Sequence, residues 1–343
     1  MSLRVIQAMA GADAGGAEAF FERLVVALGR AGLEQRVLIR RNAERAARLR
    51  AAGMEVDELG FRGPLDLLTR RAFAKAIARF EPRIVMTWMN RATAACPRPE
   101  GRFVHVARLG GYYKLKYYRR ATHLVGNTKG IRDYLLGAGW PPERAHYLPN
   151  FADAAPAAPI GRATVGTPVG APLLLAMGRL HENKAFDVLL DALARLPGVH
   201  LWLAGTGRLD GALKAQAERL GIQDRVRFLG WRADGSALRA ACDVFVCPSR
   251  IEPLGNVVLE AWAAGKPVVA AAAAGPVEIM TDEKSGLLVP IDDADALAAA
   301  IRRILGDPAL ARRLAAGGSA AYGAEFAEPA VVARYLDFFR NIA

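Results

Sequence analysis

The sequence predicts an α/β protein in two domains, each built on a largely parallel sheet. Short runs rich in Val, Ile and Leu alternate with stretches of helical period along the whole chain, the pattern of βαβ units. The chain has 343 residues, 52% of them hydrophobic, enough for two substantial cores. Residues 152–172, rich in Ala, Pro, Gly and Thr and without periodicity, read as a hinge. The expected domains are therefore 1–155 and 156–327, with a final helix over 328–343.

Taken in order, residues 3–9 read as a buried strand, residues 11–16 as a glycine-rich turn and residues 17–29 as a helix. This opening lacks the Gly-x-Gly-x-x-Gly spacing of a nicotinamide-binding fold, and so does Gly205 with Gly207 further on. Strands follow at 34–39, 55–59, 84–88 and 103–107, with helices at 43–52 and 65–80. The segment 108–120 combines four tyrosines with five cations just beyond a strand end. Such a mixture also suits stacking on nucleic-acid bases, but no RNA- or DNA-binding fold accompanies it, and nucleic acid is not an expected partner. A strand at 123–128, a helix at 129–138 and a strand at 146–151 close the first domain. In the second, strands are expected at 173–177, 201–204, 226–229, 243–248 and 267–270, and helices at 186–196, 294–305, 308–316 and 329–342.

Cys96, Cys242 and Cys247 have neither disulfide logic nor metal-ligand spacing, which fits a reducing cytoplasm. The N-terminus lacks a secretory pattern, and no run approaches the roughly 18 apolar residues of a membrane span. The net charge of +12 lies in the first half, with 26 Lys and Arg against 14 Asp and Glu through residue 158 and 20 of each thereafter. An anionic membrane surface or a phosphorylated acceptor would respond to such a field.

The most informative stretch is Glu252-Pro253-Leu254-Gly255-Asn256-Val257-Val258-Leu259-Glu260. Pro253 and Gly255 make a loop, the N–H groups near Gly255, Asn256 and Val257 open a helix and favour an anion, and Glu260 lies about a turn further in, where a carboxylate can accept from a ribose diol. Upstream, Arg179 and Lys184 stand five apart in a loop between strand and helix, placed to converge on a pyrophosphate as fork and point charge.

This stretch, followed by Gly265, Lys266 and Pro267, resembles the two-glutamate signature of retaining nucleotide-sugar glycosyltransferases of glycosyltransferase family 4, the group 1 type with GT-B architecture. Other segments fall in the family's order: Gly178 to Lys184, Leu203 to Gly207, Phe228 to Trp231, Gly275 to Glu278 and Gly286 to Pro290. The resemblance implies two facing Rossmann-like domains, the C-terminal helix crossing back to the first. It implies a UDP-sugar as the favoured donor and a lipid-linked or lipopolysaccharide-core saccharide as acceptor, transferred with retention at the inner face of the cytoplasmic membrane. Glu252, Arg179 and Lys184 would be catalytic. Glu260, Gly255, Asn256, Leu254 and Val257 would bind the donor, joined by Gly15 and Gly16, which match a Gly-Gly-Ala-Glu opening found in many members. Relatives carry an acceptor-side histidine at the end of the strand at 103–107. Here His105 lies inside that strand and Arg108 takes the end position, so the acceptor-side polar group stays open between the two. The chain has no Asp-x-Asp pair, and neither a metal nor a cofactor is expected. The alternatives are a sugar-nucleotide epimerase, hydrolase or phosphorylase of the same architecture, and a nucleotide-sugar- or RNA-binding protein without turnover.

Overall fold

A computed structural model describes residues 3–13, 15–63, 66–152 and 156–343. Ala14 of the glycine turn, Leu65 at the start of an expected helix, and residues 153–155 at the expected boundary lie outside the described residues. The chain divides into two compact units, Met1–Asn150 with Glu328–Ala343, and Phe151–Ala327.

The first unit runs β1 (Arg4–Met9), α1 (Gly16–Arg30), β2 (Glu34–Arg40), α2 (Ala43–Ala51), β3 (Glu55–Leu59), α3 (Leu67–Phe80), β4 (Ile84–Trp88), α4 (Met89–Ala95), β5 (Val104–Leu109), β6 (His123–Gly126), α5 (Lys129–Gly137) and β7 (Ala145–Tyr147). Its seven strands are ordered β3-β2-β1-β4-β5-β6-β7 and every pair is parallel. The mostly apolar character of β1 and β4 follows from this topology, because a parallel sheet is covered on both faces. Two polar residues are fully buried in them and each has a partner: the Gln7 carbonyl oxygen accepts from Trp88 Nε1 at 3.0 Å, and the Thr87 hydroxyl meets that of Thr93 at 3.0 Å.

The second unit runs β8 (Leu173–Met177), α6 (Phe186–Ala194), β9 (His200–Ala204), α7 (Asp210–Arg219), β10 (Val226–Gly230), α8 (Gly235–Ala241), β11 (Val244–Cys247), α9 (Asn256–Ala263), β12 (Val268–Ala271), α10 (Ala274–Ile279), β13 (Leu287–Val289), α11 (Ala294–Gly306) and α12 (Pro308–Ala321). Six parallel strands are ordered β10-β9-β8-β11-β12-β13. The last helix, α13 (Glu328–Ile342), belongs to the first unit, where it packs on α1. Arg30 and Glu328 form an ion pair there at 2.5 Å.

Part of the stretch read as a hinge is held to the second unit. Thr167 is buried and accepts from Trp202 Nε1 at 2.8 Å, while Arg162 pairs with Asp243 at 2.7 Å.

Both sheets reverse their winding at one place, between β1 and β4 in the first unit and between β8 and β11 in the second. Loops leaving such a pair of strands diverge and open a crevice at the strands' C-terminal ends.

Candidate active site

In the second unit the loops leaving β8 and β11 carry the charged residues that the sequence singles out. Lys184 Nζ is paired with Glu252 Oε2, the two side chains 23% and 10% exposed. Ser249 Oγ donates to the same oxygen at 3.3 Å. The backbone holds the two loops in register: the Ile251 N–H donates to the Asn183 carbonyl at 3.1 Å, and Arg250 donates to the Glu182 carbonyl at 2.9 Å while pairing with Asp187 at 2.6 Å. On the far side the Gly275 N–H donates to the Glu252 carbonyl at 2.8 Å. A Cβ at Gly275 would stand 2.6 Å from that oxygen, so only glycine lets α10 start against the acidic loop.

Gly255 takes φ +90° and caps α9, whose first turn contains Asn256 and Val257. A helix start there directs the positive end of its dipole toward the carboxylate loop. The Leu254 side chain is buried in the core with Val258 and Met280, so only its backbone can meet a ligand. Glu260 is paired with Arg239 of α8 at 2.9 Å, and Arg239 is nearly buried. Arg179 is exposed and makes no ion pair among the described residues. The cysteines play no nucleophilic part: burial pushes the Cys247 thiol up to about 11 and the Cys242 thiol up to about 12, so both stay protonated at neutral pH.

Residues 14–155 match the model described as Glycosyltransferase Family 4, and residues 171–307 that described as Glycosyl transferases group 1. The chain is 41% identical over 336 residues to the lipopolysaccharide core biosynthesis glycosyltransferase LpsE of Rhizobium meliloti, covering 95% of this chain and 96% of the relative. The chain belongs to glycosyltransferase family 4. LpsD of the same organism is 39% identical over 96% of both chains. Two solved structures share the architecture of this glycosyltransferase. HepE of Anabaena, in complex with UDP and glucose, gives a TM-score of 0.85 at 22% identity, covering 99% of this chain and all of that one. The lipopolysaccharide outer core galactosyltransferase WaaB gives 0.77 at 16% identity, covering 99% of this chain and all of that one. The fold is thus GT-B, as the sequence resemblance implies.

In the first unit of this glycosyltransferase the glycine turn after β1 is pinned by two residues that sequence reasoning left without a role. Glu18 is buried in the first turn of α1 and accepts from the Ala12 N–H at 2.7 Å. A Cβ on Gly11 would stand 2.6 Å from its carboxylate, and one on Gly15 would also collide with it. Arg45, buried on α2, donates to the Ala12 and Asp13 carbonyls at 3.0 Å each. Gly11 and Gly15 are therefore where they are partly because an acid fills the space beside them.

Neither expected acceptor-side residue is placed to meet an acceptor. Arg108 falls inside β5 rather than beyond it and is only 3% exposed. Its Nε donates to the Tyr335 hydroxyl at 3.0 Å, an Nη donates to Asn150, and its Cζ lies 4.4 Å from the Trp88 ring centroid and 4.9 Å from that of Phe20. It fastens α13 to the sheet. His105 is wholly buried, with Nε2 3.0 Å from the Thr87 hydroxyl, which in turn meets Thr93. Arg239 and Arg45 were missed because each acts on residues remote in sequence, 21 positions for Arg239 and 32 or more for Arg45, and Glu18 because its place in the Gly-Gly-Ala-Glu match does not show that it fills the space under the turn.

The burial of His105 has a consequence for pH. Desolvation lowers its pKa to about 4 from the ordinary 6.5, so the unfolded chain binds a proton in this window that the folded chain refuses. Stability present above pH 6.5 is lost as pH falls toward 4, by about 3 kcal/mol at most from this residue. Burial also lowers His146, to about 4, and His123, which act in the same direction. The urea midpoint should fall between pH 7.5 and pH 5, and His105→Asn should flatten part of that slope. A midpoint independent of pH would contradict this account.

Proposed function

We propose that this glycosyltransferase moves a sugar from a nucleoside-diphosphate sugar, with UDP-sugar favoured, to a lipid-linked or lipopolysaccharide-core saccharide, retaining the anomeric configuration and needing no metal. The observation that carries the reading is the convergence of Lys184 and Glu252 at the β8–β11 reversal, beside the start of α9. In this reading Glu252 holds the donor sugar's hydroxyls, while Lys184 and Arg179 receive the diphosphate. The backbone from Leu254 to Val257 lies along the sugar and β-phosphate. Glu260, oriented by Arg239, accepts from the ribose, and Gly15 with Gly16 approach the donor with bare backbone. The names of LpsE and LpsD support a lipopolysaccharide-core acceptor, and the UDP and glucose bound by HepE support the donor class.

The mechanism follows from where charge lies. Two cations and a helix start place positive potential where the leaving diphosphate gains charge, the arrangement that stabilises a departing anion. Among the described residues no group of three or more His, Cys, Asp or Glu side chains is placed to hold a metal ion. An inverting reaction needs a base opposite the leaving group. At β5 Arg108 is cationic and His105 is sealed in the core, so the departing phosphate is the better acceptor of the incoming hydroxyl's proton. No helix among the described residues is long and apolar enough to cross a membrane. The basic first half would instead draw the protein from the cytoplasm to an anionic membrane surface.

An α-linked donor should give an α-linked product, and activity should persist in excess EDTA. A β-linked product by NMR coupling constant would overturn retention. Loss of activity in EDTA restored by magnesium or manganese would overturn the metal-free mechanism. Sugar release without any acceptor, at the rate seen with acceptor, would favour a hydrolase.

A further inference from the structure

The first unit contains a cavity of about 680 Å³ at the C-terminal side of β3, β4 and β5, to which the glycosyl-transfer reading assigns nothing. Five cations line it: Arg70 from α3, Arg91 from α4, and Lys116, Arg119 and Arg120 from the segment after β5. Each is exposed, and none makes an ion pair or side-chain hydrogen bond among the described residues. The one carboxylate in the lining, Asp66, is already committed. It caps α3, accepting from the N–H groups of Arg62 at 2.8 Å and Thr69 at 2.9 Å, and these bonds hold its pKa down to about 2. The cavity therefore sets five cations against one ionised carboxylate.

Its remaining wall suits a sugar ring. Tyr117, 40% exposed, offers aromatic surface, Ala94 and Ala95 leave room, and Asn90 is fixed by the Tyr118 hydroxyl donating to its Oδ1 at 2.7 Å. Phe61 in the lining and Met89, the neighbour of Asn90, are held in left-handed backbone without being glycine, at φ +44° and φ +64°. The second lets α4 start directly at the end of β4, which carries Asn90 and Arg91 into the lining. Strain of this kind persists where the surroundings over-determine it, most often around ligands.

We propose that this cavity binds the anionic group of an acidic saccharide, a phosphorylated or carboxylate-bearing sugar, and so selects acceptors by charge. The inference rests on the acceptor belonging to the first unit, but its test does not require turnover. Concavity favours a sugar over a membrane. A bilayer would instead meet the exposed Leu67 and Leu68 at the cavity's margin, 61% and 74% accessible.

Calorimetric titration of the full chain with glucose 6-phosphate, glucuronate, glucose and inorganic phosphate tests this. At least one acidic sugar should bind tenfold or more tightly than glucose and than free phosphate, the former gap shrinking with salt. Arg91→Gln with Arg119→Gln should weaken that binding at least tenfold while the melting temperature stays unchanged, since both side chains are exposed and unpaired. Saturating UDP should leave it in place. Equal binding of glucose and the acidic sugars, an unaffected double variant, or displacement by UDP would each overturn the proposal. So would a double variant that loses affinity only for anionic vesicles, which would assign these cations to a membrane surface. If the acidic sugar binds as expected but no donor supports transfer, the fault lies with the proposed function and not with the cavity.

Discussion

Replacing Glu252 by glutamine should lower turnover about a hundredfold while leaving the fold intact. Glutamine keeps the volume of the side chain, and the backbone bonds that fix the loop, from Gly275 to the Glu252 carbonyl and from Ile251 to Asn183, do not involve the carboxylate. What the proposed function would have it lose is a charge-assisted hydrogen bond to the donor sugar, worth about 2–3 kcal/mol in a partly buried setting, which converts to roughly 30- to 150-fold in rate. The paired ammonium of Lys184 also loses its counter-charge and is freed to collapse toward the diphosphate. Removing Lys184 as well should therefore be less than multiplicative, because the two side chains share one interaction. The decisive measurements are kcat and KM for the donor together with the melting temperature. Activity within threefold of wild type in a normally melting variant would remove Glu252 from the active site.

Gly205→Ala should destabilise the second unit by about 2–5 kcal/mol. Gly205 takes φ +146°, and the loops after β8 and β9 touch there backbone to backbone. Its N–H donates to the Gly230 carbonyl at 2.7 Å, the Gly178 N–H donates to the Ala204 carbonyl at 2.9 Å, and the Leu180 N–H donates to the Thr206 carbonyl at 3.0 Å. A Cβ on Gly205 would overlap the Gly178 carbonyl oxygen, with backbone rather than a flexible side chain in the way. Left-handed strain costs about 1–2 kcal/mol and overpacking about 1–3 kcal/mol more. The melting temperature should fall by roughly 5–15 °C. Since Arg179 stands between Gly178 and Leu180 in the displaced loop, the proposed function expects donor affinity to fall with it. Gly211→Ala, in α7 with nothing within 4 Å of an added Cβ, should be neutral or stabilising. Equal melting of the two variants would show that the loops can part without cost.

Much of this architecture is legible in local sequence. The strands at 84–88 and 173–177 coincide with β4 and β8, because a parallel strand covered on both faces is a short apolar run between turn residues; the strand at 55–59 coincides with β3, an edge strand that is mostly polar. α4, α7, α8 and α10 were not anticipated. α4 follows β4 with no loop and α10 spans six residues, so neither offers a full period to read. Arg108 was placed beyond its strand, since a charged residue reads as a strand end unless its buried partners are known.

The sequence by itself determined two parallel α/β units, the loops that carry Arg179, Lys184 and Glu252, and the helix that carries Glu260, since period, turn residues and strand ends are local properties. Tertiary structure alone decided which charges meet. Lys184 finds Glu252 68 positions away, Arg239 finds Glu260 21 positions away and Arg108 finds Tyr335 227 positions away. The physical reason is the winding of the sheet: neighbours at its reversal come from strands far apart in the chain. A local pattern reports the face an element buries, and the partner on the other side of that face is set only when the chain has closed.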